Sequence, residues 1–361
     1  MEEFDDEFYY HENFTYNFSY DDYPSLCEKS DVRSFAGVFL PVVYSLCLII
    51  GLAGNALVVA VYIYYKRLKT MADVFLTHLA VADLLLLSTL PFWAFDASRG
   101  WILGETLCKI VSSCYTLNFT CCMLLLACIS IDRYLALTKM QGSDNSGCLR
   151  HFNRKNCWKV CIAVWASAFL LGFPDLMLSE VRHAGNRSFC IAVYSSMGRA
   201  GKATIEMFEV ILGFLIPLLI MMVCYCKVGL MLGKLPIQSK SKRWKAIRVL
   251  LIIVAVFVIT QLPYNILKVY RTMDTIYTIV IHCETSKVMD RASQVTESLA
   301  LTHCCINPLL YTFVGSSFRK NLMKAAKRFG KNNRSRRQRT EEVEMSFNSH
   351  SQSQQTDSFS I

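Results

Sequence analysis

Residues 38–65 run for 28 positions without one charged side chain. About 20 apolar helical residues span the hydrocarbon of a bilayer. Inside lipid only a helix or a closed barrel pairs all of its own backbone groups, so a segment this long and this apolar predicts a membrane helix. Four further stretches free of Asp, Glu, Lys and Arg follow, at 110–131, 210–226, 249–267 and 298–317. Two are less pure. The stretch 74–95 is interrupted by His78 and Asp83, and 160–174 needs residues 176–179, beyond Asp175, to reach full thickness. The spacing predicts an all-α membrane protein built as a seven-transmembrane helix bundle. A large soluble helical protein would need polar faces that these stretches lack.

The start, MEEFDDEF, has neither a basic flank nor an apolar core, so no cleavable signal peptide is expected and the first span directs insertion itself. Basic residues fix the orientation. Lys66, Arg67 and Lys69 follow span one, and Arg150, Arg154, Lys155 and Lys159 lie between spans three and four. Lys240, Lys242, Arg243, Lys245 and Arg248 lie between five and six, and a dense basic run follows span seven. These segments are expected in the cytoplasm, with the N-terminus outside and the C-terminus inside.

The formal net charge of +10 hides a polarity. Residues 1–31 carry ten carboxylates against Lys29, so the outer tail is strongly negative while the inner side is positive. Asn13, Asn17 and Asn186 head glycosylation sequons on the outer side, whereas the sequon at Asn118 falls inside span three and is discounted. The expected organisation is a tail at 1–37, a bundle at 38–315, a short cytoplasmic amphipathic helix on the membrane surface at 316–329, and a disordered Ser-rich tail at 330–361. Phe318, Leu322, Ala325 and Phe329 share one face of that surface helix, and its basic residues face anionic membrane lipids. Nothing in the pattern points to a nucleic-acid partner.

Of 16 cysteines, Cys27, Cys108, Cys190 and Cys283 face the oxidising side. Arithmetic alone leaves three pairings. A bond from Cys108 to Cys190 would pin an outer loop over the bundle mouth, and the remaining pair, Cys27 with Cys283, would tie the outer tail to the loop before span seven.

Ionisable groups in hydrocarbon are costly, so each raises a functional expectation. Asp83 is mid-span, and Asn55, Asn118, His303 and Asn307 are polar neighbours in other spans. They could hold a cation or a water chain, or serve as interhelical hydrogen bonds that fix the packing. Asp132-Arg133-Tyr134 follows the 22-residue uncharged stretch of span three, and Asn307-Pro308-Leu309-Leu310-Tyr311 ends span seven. Pro91, Pro174, Pro217, Pro263 and Pro308 lie within or near span ends, where a lost backbone hydrogen bond permits a hinge.

Taken in order, Gly-x-x-Gly-Asn, Leu-Ala-x-Ala-Asp, Asp-Arg-Tyr, Trp165, Pro217, Pro263 and Asn-Pro-x-x-Tyr make residues 38–329 similar to the rhodopsin-like G-protein-coupled receptors. The resemblance implies that Asp132, Arg133, Tyr134, Tyr225, Asn307, Pro308 and Tyr311 act as inner switch residues. It also implies that Asp83 is the acid of a structural sodium site, with Asn118 and Asn307 beside it. No other cofactor is expected.

Several rivals fail on chemistry. A retinal pigment needs a lysine in the last span and 298–317 has none; an amine receptor would want a carboxylate in the outer half of span three, where Tyr115 stands. No catalytic constellation sits at a plausible depth, so no enzyme is expected. Nor does a repeat relate the halves of the bundle, which argues against an inverted-repeat transporter.

On the outside, Tyr9, Tyr10, Tyr16, Tyr20 and Tyr23 are interleaved with carboxylates and are plausible sulfation sites. Such a tail would speed encounter with a cationic protein. Glu297, one turn into span seven, offers an acid at the mouth, with Trp93, Tyr115, Tyr264 and Gln261 as further candidate ligand contacts. Thr89-Leu90-Pro91-Phe92-Trp93, Gln261-Leu262-Pro263-Tyr264-Asn265, Glu297 and His303-Cys304-Cys305 resemble the CC branch of the chemokine receptors. That resemblance implies capture of extracellular CC chemokines at the plasma membrane, the tail gripping the ligand body while its N-terminus enters the bundle.

The departures point further. Leu135-Ala136-Leu137-Thr138 follows Tyr134 where signalling members carry Leu-Ala-Ile-Val, which puts a hydroxyl where a G protein's insertion pocket would be apolar. Leu103 stands where an aromatic is usual, and the loop 141–156 is long and polar for the family. Ser346, Ser349, Ser351, Ser353, Thr356, Ser358 and Ser360 form a ladder for receptor kinases and arrestin. The chain is thus similar to the atypical, scavenging chemokine receptors, which internalise through arrestin into early and recycling endosomes. The competing expectation is a conventional CC chemokine receptor coupled to inhibitory heterotrimeric G proteins, mediating chemotaxis and calcium responses.

Overall fold

In a computed structural model of the chain, the described residues are 27–66, 70–138, 156–185, 187–194, 198–233 and 237–314. Helix α1, Ser30–Ala60, runs into a π-helical turn, Val61–Lys66. It is followed by α2, Met71–Arg99, and α3, Glu105–Thr138. Next come α4, Cys157–Leu178, and a hairpin of β1, Ser179–Ala184, and β2, Arg187–Ala192. Helix α5 spans Gly198–Gly233 and α6 Ile237–Tyr277. The last crossing is split at Thr302 into α7, Cys283–Leu301, and α8, His303–Val314.

Helices α1 to α6 are long and apolar enough to cross a membrane by themselves. The seventh crossing falls short on that measure because α7 carries Glu284, Lys287, Asp290, Arg291 and Glu297, and α8 has 12 residues. Its outer half is therefore a polar post standing in the mouth, and its inner half completes the bundle.

The packing is inverted relative to a soluble protein. Val42, Leu46 and Ile49 on α1, Ile162 and Phe169 on α4, and Leu219 and Met222 on α5 are exposed on the outside, as lipid contact requires. Asn55, Asp83, Asn118, His303 and Asn307 are buried at the centre. Helix α3 is the axis and packs against α2, α4 and α5. Close approach elsewhere depends on missing side chains. A Cβ on Gly54 would lie 2.7 Å from Pro308 Cβ, and one on Gly51 2.8 Å from the Leu87 methyls, so the Gly-x-x-Gly-Asn motif brings α1 flat against α8 and α2. The Asn55 amide then donates to the Gly51 and Cys304 carbonyls, at 3.0 and 2.8 Å.

Local signals fix the ends and bends. At the start of α2 the Thr70 hydroxyl accepts from Asp73 N at 3.2 Å and the Asp73 carboxylate accepts from Thr70 N at 3.0 Å, a reciprocal cap. Pro41, Pro91, Pro174, Pro263 and Pro308 lie inside helices. Pro217 sits just after a π-helical segment, Ile211–Leu215, where Ile216 N–H reaches back to the Ile211 carbonyl and the wider turn accommodates a proline that has no N–H to donate. Helix α4 continues through Asp175 because the Thr116 hydroxyl on α3 donates to that carboxylate at 2.6 Å.

One boundary differs from expectation. Residues 30–37, assigned to the tail, are the first two turns of α1, held by the disulfide at Cys27 and by ion pairs of Lys29 and Asp31. Tyr9, Tyr10, Tyr16, Tyr20, Tyr23, Asn13, Asn17, Asn186, the surface helix at 316–329 and the tail at 330–361 lie outside the described residues, as does the side chain of Tyr311.

Candidate ligand-binding site

The outer face is organised by two disulfides. Cys108 at the top of α3 is bonded to Cys190 on β2, with Cα atoms 5.5 Å apart. Strand β2 pairs antiparallel with β1 from Ser179 opposite Ala192 to Ala184 opposite Arg187, so the hairpin lies over the mouth. Trp101, 1% exposed, wedges beside this bond; its indole donates to the Gly104 carbonyl at 2.8 Å and its backbone N–H to the Ser188 carbonyl at 2.8 Å. Gly100 precedes it with φ of 90°, and a Cβ there would strike Arg187 and the Ser188 carbonyl. Arg187 in turn donates to the Ala97 carbonyl at 3.0 Å, which anchors the hairpin on the end of α2.

The second disulfide joins Cys27 to Cys283, Cα atoms 5.4 Å apart. Around it lies an ion-pair strap. Lys29 Nζ donates to Asp290 Oδ2 at 2.7 Å and to Ser286 at 2.8 Å, while Arg271 on α6 reaches Asp290 Oδ1 at 2.6 Å. Asp31 faces Arg291 at 2.5 Å and Lys287 at 3.9 Å. The base of the acidic tail is thereby fixed to α7 and, through Asp290, to α6.

Below these covers a two-lobed cavity opens. The larger lobe, about 560 Å³, lies among α3, α5, α6 and α7; the smaller, about 300 Å³, lies toward α1 and α2. Trp93, Tyr115 and Glu297 line both and form the divide between them. Tyr115 meets Tyr264 edge-to-face at 5.7 Å, making an aromatic floor for the larger lobe. Asp175, Glu206, Glu209, Asp274 and Glu297 supply five carboxylates to that lobe against Lys202, Lys268 and Arg271. Most are engaged: Lys268 with Glu209, Thr272 with Glu206 at 2.7 Å, Thr116 with Asp175. No hydrogen bond or close ion pair holds Glu297 among the described residues, so it faces the cavity as the free acid of the set. Tyr194, above the lobe, is partly buried; burial first, then the carboxylates of Asp175, Glu209 and Glu206, push its phenol above the ordinary range, so it stays a neutral donor. The arrangement can take a cationic, amine-bearing segment into a partly apolar cleft.

The polar centre lies beneath. Asn307 Nδ2 donates to Asp83 Oδ2 at 3.1 Å, and Asn118 Nδ2 lies 3.4 Å from Oδ1. Gln261 is 1% exposed and lines neither lobe; its amide donates to the Ala300 carbonyl at 3.0 Å, so the ligand-contact role expected for it gives way to a tie between α6 and the last crossing. At the inner end Arg133 donates through Nε and Nη2 to Asp132, at 3.1 and 2.6 Å, and Tyr134 and Tyr225 pack against Leu137, Val228 and Leu232. The Thr138 hydroxyl donates back to the Leu135 carbonyl at 2.9 Å, which mutes the polarity expected of it.

Residues 54–311 match the family of the 7 transmembrane receptor (rhodopsin family). Atypical chemokine receptor 4 of Homo sapiens is 47% identical over 357 residues, covering 98% of this chain and 97% of the relative. The chain belongs to the chemokine receptors of the rhodopsin family. Atypical chemokine receptor 4 of Bos taurus is 45% identical over the same shares, and C-C chemokine receptor type 9 of Ovis aries is 41% identical over 84% of this chain and 82% of that one. The chemokine-receptor family is one of multi-pass membrane receptors, not of enzymes.

Lys268, Glu209, Asp175, Arg271 and Asp96 in this receptor's mouth were missed from the sequence. Their signal was a charge sitting one residue beyond an uncharged stretch, at 209 and at 268. The sodium ion implied by the resemblance fares less well. A hard monovalent cation wants oxygen donors, yet a thiol, Cys122, and an imidazole, His303, face the Asp83 carboxylate. The donors present do not fit sodium.

Proposed function

We propose that this receptor captures basic CC chemokines at the cell surface and internalises them through arrestin, with weak or no G-protein signalling. The observation carrying this reading is the full-length identity to atypical chemokine receptors, 47% and 45%, against 41% over a shorter span for a C-C chemokine receptor. The site supports it chemically. An acidic tail is followed by a cavity whose uncommitted side chain is a carboxylate, which suits a cationic protein ligand with a free amino end. Sulfated Tyr9, Tyr10, Tyr16, Tyr20 and Tyr23 grip the ligand body, and Asn13, Asn17 and Asn186 carry glycans. Receptor kinases phosphorylate the serine ladder, arrestin docks on the phosphates, and the complex passes to early and recycling endosomes.

The intact Asp132-Arg133-Tyr134, with Thr138 satisfied inside its own helix, favours a second reading: a CC chemokine receptor that signals through inhibitory G proteins and drives chemotaxis. One experiment separates them. Cells expressing the receptor are given labelled CC chemokine, and uptake, arrestin recruitment and nucleotide exchange on inhibitory G proteins are recorded together. Uptake with arrestin recruitment and no exchange is expected; robust exchange at chemokine concentrations that saturate uptake would overturn the scavenger reading.

A further inference from the structure

Four side chains converge at the centre of the bundle from three helices. Asp83 Oδ1 on α2 lies 3.5 Å from His303 Nε2 on α8 and 3.6 Å from Cys122 Sγ on α3. The amide of Asn118, one turn above Cys122, lies 3.4 Å from the same carboxylate oxygen and 3.6 Å from the same sulfur. Asp83, Cys122, His303 and Asn118 are all buried.

One tautomer of His303 leaves this cluster incomplete. His303 Nδ1 is 2.5 Å from the Ala300 carbonyl, an acceptor, and 3.1 Å from the Gln261 amide nitrogen, a donor, so these contacts admit the ring proton on either nitrogen. With the proton on Nδ1, the Nε2 lone pair meets a carboxylate oxygen 3.5 Å away, acceptor against acceptor, and Nε2 has no hydrogen-bond partner among the described residues. The Asn118 Oδ1 is likewise without one. Buried acceptors left facing one another are costly, and a cation between them removes the cost.

The spacing says which cation. A tetrahedral zinc ion, with bonds of about 2.0 Å to nitrogen or oxygen and about 2.3 Å to sulfur, separates its ligands by about 3.3 Å for N and O pairs and about 3.5 Å for pairs with sulfur. Four of the six edges fall within 0.2 Å of those values, and the His303 and Cys122 donor atoms lie within 4.8 Å of each other. We infer that Asp83, Cys122, His303 and, after a half-turn of its amide, Asn118 form a site for a zinc-like divalent cation in the middle of the bundle.

The surroundings suit it. A ligating histidine commonly gives its other N–H to a carbonyl, and the Ala300 carbonyl stands 2.5 Å from His303 Nδ1 to receive it; the second carboxylate oxygen is held by Asn307 at 3.1 Å. The aspartate and the thiolate neutralise the ion, so the loaded cluster carries no net charge into hydrocarbon. Binding replaces the Cys122 thiol proton, which leaves to solvent. The ion would clamp α8 to α2 and α3. This inference is independent of which ligand the mouth takes.

The test uses the full-length receptor in lipid nanodiscs, stripped with chelator and given one equivalent of cobalt(II) chloride as a coloured stand-in. A thiolate-to-metal charge-transfer band and strong tetrahedral visible bands are expected, bleached by zinc chloride. Cys122→Ser should abolish the charge-transfer band and His303→Gln should weaken zinc more than about 100-fold, while Cys226→Ser, which alters an exposed thiol, keeps both signals. Chemokine capture, which uses the outer site, reports folding of each variant; should Cys122→Ser fail it, His303→Gln decides. No band in the wild type overturns the inference, and so does a band undiminished in Cys122→Ser, the mark of an adventitious thiol. A melting temperature raised by sodium chloride but not by zinc, and lost in Asp83→Asn, also overturns it.

Discussion

Replacing Glu297 by Gln removes one charge from the divide between the two lobes without altering side-chain size. A ligand ammonium about 4 Å from the carboxylate interacts by about 4 kcal/mol at the effective dielectric of about 20 found near protein surfaces. Part of this is returned. The ammonium sheds water to enter, and Lys268 and Arg271 line the same lobe and repel it. A net loss of about 1.4–2.8 kcal/mol remains, which is about 10- to 100-fold. That loss applies to the step in which the ligand's amino end enters the bundle. The outer tail is covalently continuous with α1, and its base is strapped to α7 through Lys29 and Asp31, so its grip on the ligand body is untouched. Glu297→Gln should therefore raise the chemokine concentration for half-maximal arrestin recruitment about 10- to 100-fold, while the Kd of labelled chemokine at the cell surface rises less than about 3-fold. Parallel losses in recruitment and binding would refute the division of labour between tail and mouth.

Replacing Tyr9, Tyr10, Tyr16, Tyr20 and Tyr23 by Phe should slow association more than it speeds dissociation, with the deficit shrinking as salt rises; surface plasmon resonance across ionic strengths checks this, and a salt-independent deficit would exclude steering. Cys27→Ala with Cys283→Ala should leave the bundle folded but weaken capture, because the remaining strap is partly exposed ion pairs worth about 0–1 kcal/mol each. Cell-surface expression and binding measured together test it, and unchanged binding would mean that the tail needs no fixed base. Gly54→Ala should destabilise the receptor by about 1–3 kcal/mol, since the new methyl meets a proline ring that cannot rotate away. A thermal-unfolding assay in micelles reads this directly, an unshifted midpoint showing that α1 and α8 part freely.

The crossings were legible because lipid imposes a blunt demand: long runs without charge. Where that demand lapses, reading stopped short. Helix α7 is water-facing in its outer half, and the uncharged run that marks the last span begins at 298, well inside the helix that begins at Cys283. Glu209 and Lys268 each sit one residue past an uncharged run, where a charge reads as the edge of a span, and no local pattern marks their pairing across α5 and α6. Both disulfides emerge as expected: Cys108 at the top of span three takes Cys190 of the following outer loop, which leaves Cys27 with Cys283. Gln261 was misplaced for a different reason. Its neighbours Pro263 and Tyr264 mark the mouth, but successive helix positions turn by about 100° and drop by about 1.5 Å, which carries Gln261 below the floor.

The bond between Cys27 and Cys283 has a consequence for how molecules reach the interior. It closes the polypeptide into a hoop, joining the first helix of the bundle to the last at their outer ends. In an open chain that junction has no connecting loop and would be the seam most free to part sideways in the outer leaflet. Stitched shut and riveted by Lys29, Asp31, Asp290 and Arg291, it bars lateral entry there. The mouth between the helices, beside the β-hairpin, stays open to the aqueous side, which is the approach a water-soluble protein makes.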